Sequence, residues 1–287
     1  MSRARTALAL GLAAALAGGC ATVGALTSAY GRATGQQDLV DAGQSMQRSG
    51  REFSPSQQYY LGRTVACRLL ADWPPSQDLA LQRYVGQVGQ TVALACQQPQ
   101  QYRGWHFILV KGAPPAAFST PGGFVIISEG LVRLCDNEDE LAAVLAHECS
   151  HVALGHPLQA ISEVNRQAAL LSLARFGIGQ VVKGSELSSL TDTFNASVGQ
   201  VMQALAHGYD RQKEYAADAS AVGILDSVGY DPRALEAVLR KLPYGGATHG
   251  DPRQRAAAVE EVIARLPRPL PALDPARTRR FRLALGR

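Results

Sequence analysis

Strand-forming sequence is confined to one short stretch of this chain, and that confinement limits the fold more than any other feature. Trp105-His106-Phe107-Ile108-Leu109-Val110, an extended piece at 116–119 and the run Phe124 to Ser128 follow one another, separated by Pro114-Pro115 and Pro121-Gly122-Gly123. Helical patterns precede them at Gln57 to Leu70 and Gln77 to Cys96. Everything later reads as helix, over 137–153, 157–177, 186–206, 211–228, 232–242 and 251–265. Strands clustered in one place and followed by helices predict a mostly helical α+β domain with a small antiparallel sheet. With 287 residues, 46% of them hydrophobic and 18% charged, the chain can bury a full core. Those values exclude a disordered tail protein, a collagen-like repeat and a disulfide-packed miniprotein. No internal repeat is present.

Charge excludes another class. The balance of 28 basic and 24 acidic residues leaves +4, too little for a nucleic-acid groove. The excess lies at the C-terminal end, where seven arginines from Arg265 onward face only Asp274. A solvated terminal helix within a basic tail at 267–287 is expected there.

The first residues read as an address. Arg3 and Arg5 precede an apolar run from Ala7 to Leu16 that ends in Ala17-Gly18-Gly19-Cys20. The run is about half the roughly 20 residues a membrane helix needs. Its ending resembles a bacterial lipobox, which predicts a signal at 1–19, lipidation at Cys20 and a flexible linker at 20–52. Ala17 departs from the usual Leu. Ala21 after the Cys resembles the pattern that sorts lipoproteins to the outer membrane. The best later candidate for a span, Ala168 to Val182, is broken by Arg175, Gly177 and Gly179.

Chemistry enters at His147-Glu148-Cys149-Ser150-His151, on a helix that begins with Glu138, Asp139 and Glu140, where the helix dipole favours acids. Residues four apart share a helix face, so His147 and His151 point the same way and can grip one Zn²⁺. Glu148 lies beside both and can reach water activated by the metal without ligating it. A catalytic zinc needs a third protein ligand and an open position. Glu214, in Arg211-Gln212-Lys213-Glu214-Tyr215-Ala216-Ala217-Asp218, supplies the ligand. Asp218, one turn on, accepts the free N–H of a zinc histidine and fixes its tautomer. Ala216 and Ala217 let the two helices approach.

At this point the sequence resembles the periplasmic zinc metallopeptidases related to the CAAX prenyl protease and the HtpX protease. Tyr60-Leu61-Gly62-Arg63, Leu81-Gln82-Arg83-Tyr84-Val85, Phe118 to Gly123, Glu129-Gly130-Leu131, the His147–His151 motif with His156, Glu214 to Asp218, Gly229-Tyr230-Asp231-Pro232, Thr248-His249 and Arg255 carry the resemblance from about 58 to 266. It implies a zincin-like (gluzincin) peptidase domain at 53–266, one Zn²⁺ per chain and endopeptidase activity. It also implies polypeptide substrates, unfolded or misassembled envelope proteins among them, at the periplasmic side of the outer membrane and near its assembly machinery.

The resemblance gives His249 a role too, either as hydrogen-bond donor to the oxyanion or as a latch in the open zinc position, with Arg255 orienting it. It assigns substrate contacts to Phe118, Pro121, Gly122 and Gly123. The strand beside them, Phe124 to Ser128, either offers an open edge to which extended substrate can add or lies covered inside the sheet. His156 belongs behind the ligands, although Gly155 and Pro157 interrupt the helix. Two departures stand out. Ala116 replaces the family's Asn before Ala117-Phe118, which removes a side-chain amide, and Gly250 replaces the usual Pro after His249. The rival reading is a zinc-containing adaptor or chaperone with a closed site. Cys149 points away from His147, into the core. Cys67 and Cys96, on consecutive antiparallel helices, form the candidate disulfide among three pairings open to four cysteines.

Overall fold

A computed structural model describes residues 53–112, 114–161, 209–242, 249–267 and 269–287, with six positions between 28 and 40. The signal at 1–19, Cys20, most of the 20–52 linker, most of the helical pattern expected over 157–177 and all of that over 186–206 lie outside the described residues. The chain divides into two compact units, 1–53 with 159–201 and 54–158 with 202–287. The strands and the paired histidines belong to the second unit. Among the described residues no helix is long and apolar enough to cross a membrane.

Helix α1, Pro55–Asp72, starts at a capping box. The Ser54 hydroxyl accepts from Gln57 N–H, the Gln57 side chain accepts from Ser54 N–H, and Pro55 fills the first turn. Helix α2, Leu79–Ala93, is capped by Asp78 and turns Leu81, Val85, Val88 and Val92 into the core. Three strands follow: β1 His106–Val110, β2 Ala117–Thr120 and β3 Phe124–Ser128.

The sheet order is β1-β3-β2, with β3 parallel to β1 and antiparallel to β2. The sheet is therefore mixed, not wholly antiparallel. The β2–β3 hairpin folds back so that its second strand lies against β1. This places β3 in the middle with all five residues buried, so it offers no open edge. The outer edge of β1 is filled by side chains of α2. Gln82 Nε2 donates to Phe107 O at 2.9 Å, Leu109 N–H donates to Gln82 Oε1 at 2.7 Å, and Gln90 Nε2 donates to Trp105 O at 3.0 Å. Side chains that satisfy an edge strand's backbone block further pairing there. The other edge strand is β2.

The turn joining β2 to β3 is a packing element. Gly122 and Gly123 adopt φ +74° and +87°. Helix α1 crosses so close that a Cβ on Gly62 would fall 1.7 Å from Pro121 O, and one on Gly122 2.5 Å from Tyr59 Cα. Pro121, Gly122 and Gly123 are buried there. Their neighbours are the α1 backbone, the Gln101 side chain and the Gly104 carbonyl.

A short helix α3, Glu129–Leu134, leads to α4, Glu138–Ala153, which is buried along its whole length. Leu141 and Leu145 on α4 are fully buried, each worth about 1.5–3 kcal/mol of transfer free energy. Helix α5, Arg211–Val228, packs along α4. Ala217 and Ala221, both 0% exposed, permit the approach, whereas Ala216 faces outward. The Ser150 hydroxyl meets Ser220 Oγ across the seam at 2.9 Å. Helices α6, Arg233–Lys241, and α7, Pro252–Ile263, complete the layer.

The basic C-terminal segment is part of this core. Helix α8, Pro275–Ala284, buries Phe281 and pairs Arg277 and Arg280 with Asp139 and Glu138 at the start of α4. The acids of that first turn are buried ion-pair partners as well as dipole complements. Cys67 and Cys96 carry free thiols. They are not paired because Cys67 faces solvent while Cys96 turns into the core beside Cys149. Cys149 is itself buried in the core.

Candidate active site

Helix α4 presents His147 and His151 to one point, and α5 brings Glu214 to the same point. His147 Nε2 lies 2.9 Å from His151 Nε2 and 3.5 Å from Glu214 Oε2, and His151 Nε2 lies 3.6 Å from Glu214 Oε1. Those spacings bracket the roughly 3.3–3.4 Å between tetrahedral ligands at zinc–nitrogen and zinc–oxygen bond lengths. His249 joins the group, its Nδ1 3.1 Å from Glu214 Oε2. One ligand atom from each of the four residues lies within 4.8 Å of the others.

The far nitrogens of the paired imidazoles are held from behind. His147 Nδ1 meets Asp218 Oδ1 at 2.9 Å, and His151 Nδ1 meets His156 Nδ1 at 2.8 Å. With both Nδ1 atoms engaged, both Nε2 atoms are left for a cation, the arrangement that fixes tautomer and orientation in metal sites. His156 reaches this position because Gly155, at φ +73°, ends α4 and swings the next residue back toward His151. Arg255, on α7, grips Asp218 at 2.7 and 2.8 Å and donates to His249 O at 3.0 Å. It therefore ties the Asp218 carboxylate to the backbone of His249.

Electrostatics favour positive charge at this point. Burial pushes the Glu214 carboxyl up, but hydrogen bonds and charges from His147 and His249 outweigh it and hold the pKa well below the carboxylate range. Asp218 is likewise held low, chiefly by Arg255 acting against burial. Burial and Arg255 depress His147, yet Asp218 and Glu214 prevail and raise it to about 9. Glu148 lies beside the group, its Oε1 3.6 Å from His249 Nε2. Its Oε2 is buried without a hydrogen-bond partner. A buried carboxylate oxygen left free beside a His/His/Glu donor set fits a general base next to a divalent ion.

The remaining expected residues lie farther out. Phe118, half-buried on β2, packs edge-on against Trp73 with ring centroids 5.4 Å apart. On the same strand, Ala117 O lies 3.5 Å from His249 Nε2, which brings the β2 edge, not β3, to the site. Two features have no local signature in the sequence. One is Tyr209, whose ring stacks on His151 with centroids 4.4 Å apart. The other is an apolar cavity of about 90 Å³ beside His147, Glu148 and His249, walled by Leu131, Val144, Leu235, Val238, Leu239 and Leu242.

A helix-borne histidine pair, a glutamate from the next packed helix and an unliganded acid on the same face belong to the metallopeptidase class. Residues 79–263 match peptidase family M48, and the chain belongs to that family. It is similar to the beta-barrel assembly-enhancing protease of Escherichia coli (strain K12), 29% identical over 224 residues, 77% of this chain and 44% of the relative. The protein of the same name from Yersinia pestis is 28% identical over 244 residues, 85% and 47% of the two chains. The mitochondrial metalloendopeptidase OMA1 of Schizosaccharomyces pombe is 25% identical over 169 residues, 55% and 47%. The chain thus spans less than half the length of these curated relatives.

Proposed function

We propose that this M48 metallopeptidase is a zinc-dependent endopeptidase of the bacterial cell envelope that cleaves unfolded or misassembled periplasmic and outer-membrane proteins. The observation that carries the reading is the convergence of His147, His151 and Glu214 with a free carboxylate oxygen of Glu148 beside them. The relatives' names, an assembly-enhancing protease and a metalloendopeptidase, support quality control of envelope proteins. Lipidation at Cys20, the 1–19 signal, outer-membrane anchoring, a place near the assembly machinery and kinship with the lipid-anchored CAAX- and HtpX-related enzymes belong to the same proposal.

His147, His151 and Glu214 would hold the ion, which when bound would supply Lewis acidity for water and for the scissile carbonyl. Glu148 takes the proton of the attacking water and delivers it to the leaving amine. Asp218 and His156 keep the two imidazoles in register, and Arg255 anchors Asp218 to the His249 segment. His249, 3.1 Å from Glu214, supports the latch role, since binding at the ion would close the open position. Extended substrate adds along the β2 edge. Its side chain next to the scissile bond enters the apolar cavity, whose volume suits an aliphatic group.

The adaptor reading draws only on the four-residue ligand group, because a structural site has four protein ligands. It leaves Glu148 without a purpose. The test compares the parent with Glu148→Gln on unfolded casein at matched zinc content. Loss of at least about 10²-fold in turnover is expected. Equal turnover by the two proteins overturns the enzymatic reading.

A further inference from the structure

Beside the ligand group, two buried polar atoms of the described residues have no hydrogen-bond partner: Glu148 Oε2 and the hydroxyl of Tyr209. Buried polar groups are almost always paired, so each exception asks for a reason. Glu148 has one in the reaction. Tyr209 stands immediately before Asp210, the N-cap of α5, so the short span to Glu214 fixes its place relative to that carboxylate. Its ring lies over His151 at 4.4 Å between centroids and 29° between planes, and 5.6 Å from His156. A phenol hydroxyl is a hydrogen-bond donor.

The neighbouring donors are occupied. His249 Nδ1 is turned to Glu214 at 3.1 Å and its Nε2 to Ala117 O at 3.5 Å, and Arg255 is spent on Asp218, Glu214 and His249 O. The two free atoms are complementary, one an acceptor and one a donor. Peptide hydrolysis asks for that combination: an acceptor for the proton of the attacking water, and a donor for the carbonyl oxygen as negative charge builds on it.

We propose that the Tyr209 hydroxyl donates a hydrogen bond to the oxygen of the scissile carbonyl as it becomes an alkoxide, making Tyr209 a catalytic residue. The inference rests on the endopeptidase reading. As the water oxygen bonds to the carbonyl carbon, the C=O π pair moves to oxygen and the water proton passes to Glu148. When the C–N bond breaks, that pair re-forms the carbonyl and the proton goes to the amine nitrogen. Tyr209 keeps its own proton throughout and needs no co-reactant.

The test uses Tyr209→Phe in the zinc-loaded chain, because phenylalanine retains the stack on His151 and removes only the hydroxyl. Four quantities are measured: kcat and KM on an unfolded peptide substrate, zinc affinity by chelator competition, and affinity for a phosphinic peptide that mimics the tetrahedral alkoxide. A fall in kcat of about 10²-fold is expected, with KM within about twofold, unchanged zinc affinity and a comparable loss of phosphinic-peptide affinity. Full kcat and full phosphinic-peptide affinity in Tyr209→Phe overturn the proposal. So does a loss of activity that follows a loss of zinc, since the residue would then only position His151. Tyr209→Leu removes the stack as well and should weaken zinc, separating ring from hydroxyl. If Glu148→Gln is inactive while Tyr209→Phe is fully active, the endopeptidase reading stands and only this inference falls.

Discussion

Arg277 Nη2 lies 3.1 Å from Asp139 Oδ1, joining the C-terminal helix α8 to the first turn of the helix that carries His147 and His151. Asp139 is fully buried and also accepts from Asp231 N–H at 3.0 Å. Arg277 is nearly buried, donates to Gly229 O at 2.7 Å and lies 4.9 Å above the Tyr230 ring. Burial pushes the Asp139 carboxyl up, and the Asp231 amide and Arg277 pull only part of the way back. Removing Arg277 would leave a buried carboxylate uncompensated. Arg277→Met should therefore cost about 3 kcal/mol in chemical denaturation. Adding Asp139→Asn should recover part of that loss, because the uncompensated charge is gone. A double variant less stable than Arg277→Met alone would contradict this account.

One residue earlier, Glu138 makes stability depend on acid. It accepts from Tyr84 at 2.5 Å and Tyr230 at 2.8 Å, and it pairs with Arg280. Burial raises the Glu138 carboxyl, but Arg280, Tyr84 and Tyr230 prevail and hold its pKa below the ordinary value. The folded value thus lies under the unfolded value of about 4.3. The contribution is complete above the unfolded value and is lost as pH falls through the folded one. Urea midpoints measured from about pH 7 down to about pH 3 should show Glu138→Gln well below the parent at neutral pH and close to it at the acid end. A constant gap across that range would rule out the linkage.

Behind the ligands, Asp218 ties two elements together, since it receives His147 Nδ1 at 2.9 Å and Arg255 at 2.7 Å. Asp218→Asn keeps the shape and removes the charge that orients the His147 ring. Zinc affinity by chelator competition should fall about 10–100-fold, with the fold retained by circular dichroism. Unchanged affinity would mean that the orientation of His147 is set elsewhere.

Legibility in the sequence is a matter of range. His147, Glu148 and His151 sit on one helix face by the 3.6-residue repeat, and Glu214 and Asp218 repeat that spacing, so local geometry exposes both sets. Sheet order is a long-range property. Nothing within Phe124 to Ser128 reveals that β1 will pair with it in parallel, though five consecutive buried residues suit a central strand. The tight turn at Pro121-Gly122-Gly123 is visible in sequence, but its covering helix is not. Only Gly62, lying against Pro121 O, shows what the glycines serve. The acids of the α4 first turn are legible as dipole complements. Their burial, and hence their need for Arg277, Arg280 and Lys241, depends on α8 and α6 folding over them. Tyr209 has no periodic partner in sequence, so its place over His151 becomes visible only once α4 and α5 have packed.

The apolar cavity beside Glu148 makes a prediction about substrate choice. Its walls come from three helices: Leu131 on α3, Val144 on α4, and Leu235, Val238 and Leu239 on α6, with Leu242 at the end of α6. Apart from His147, Glu148, His249 and Arg255 of the site itself, its lining among the described residues carries no ionisable side chain. A charged substrate group placed there would lose its hydration without a dedicated partner. Sequencing the fragments of an unfolded protein by mass spectrometry should show Leu, Ile, Val or Met enriched on one side of the cut. Leu239→Phe narrows the cavity from α6, a helix that carries none of the ligands. That variant should shift the preference toward Ala, with about 10–100-fold lower kcat/KM on Leu-containing peptides. Zinc affinity should be unchanged, because no ligand or supporting carboxylate is altered. Cleavage patterns identical in the two proteins would show that the side chain next to the scissile bond lies elsewhere, leaving the β2 edge to determine specificity through main-chain pairing alone.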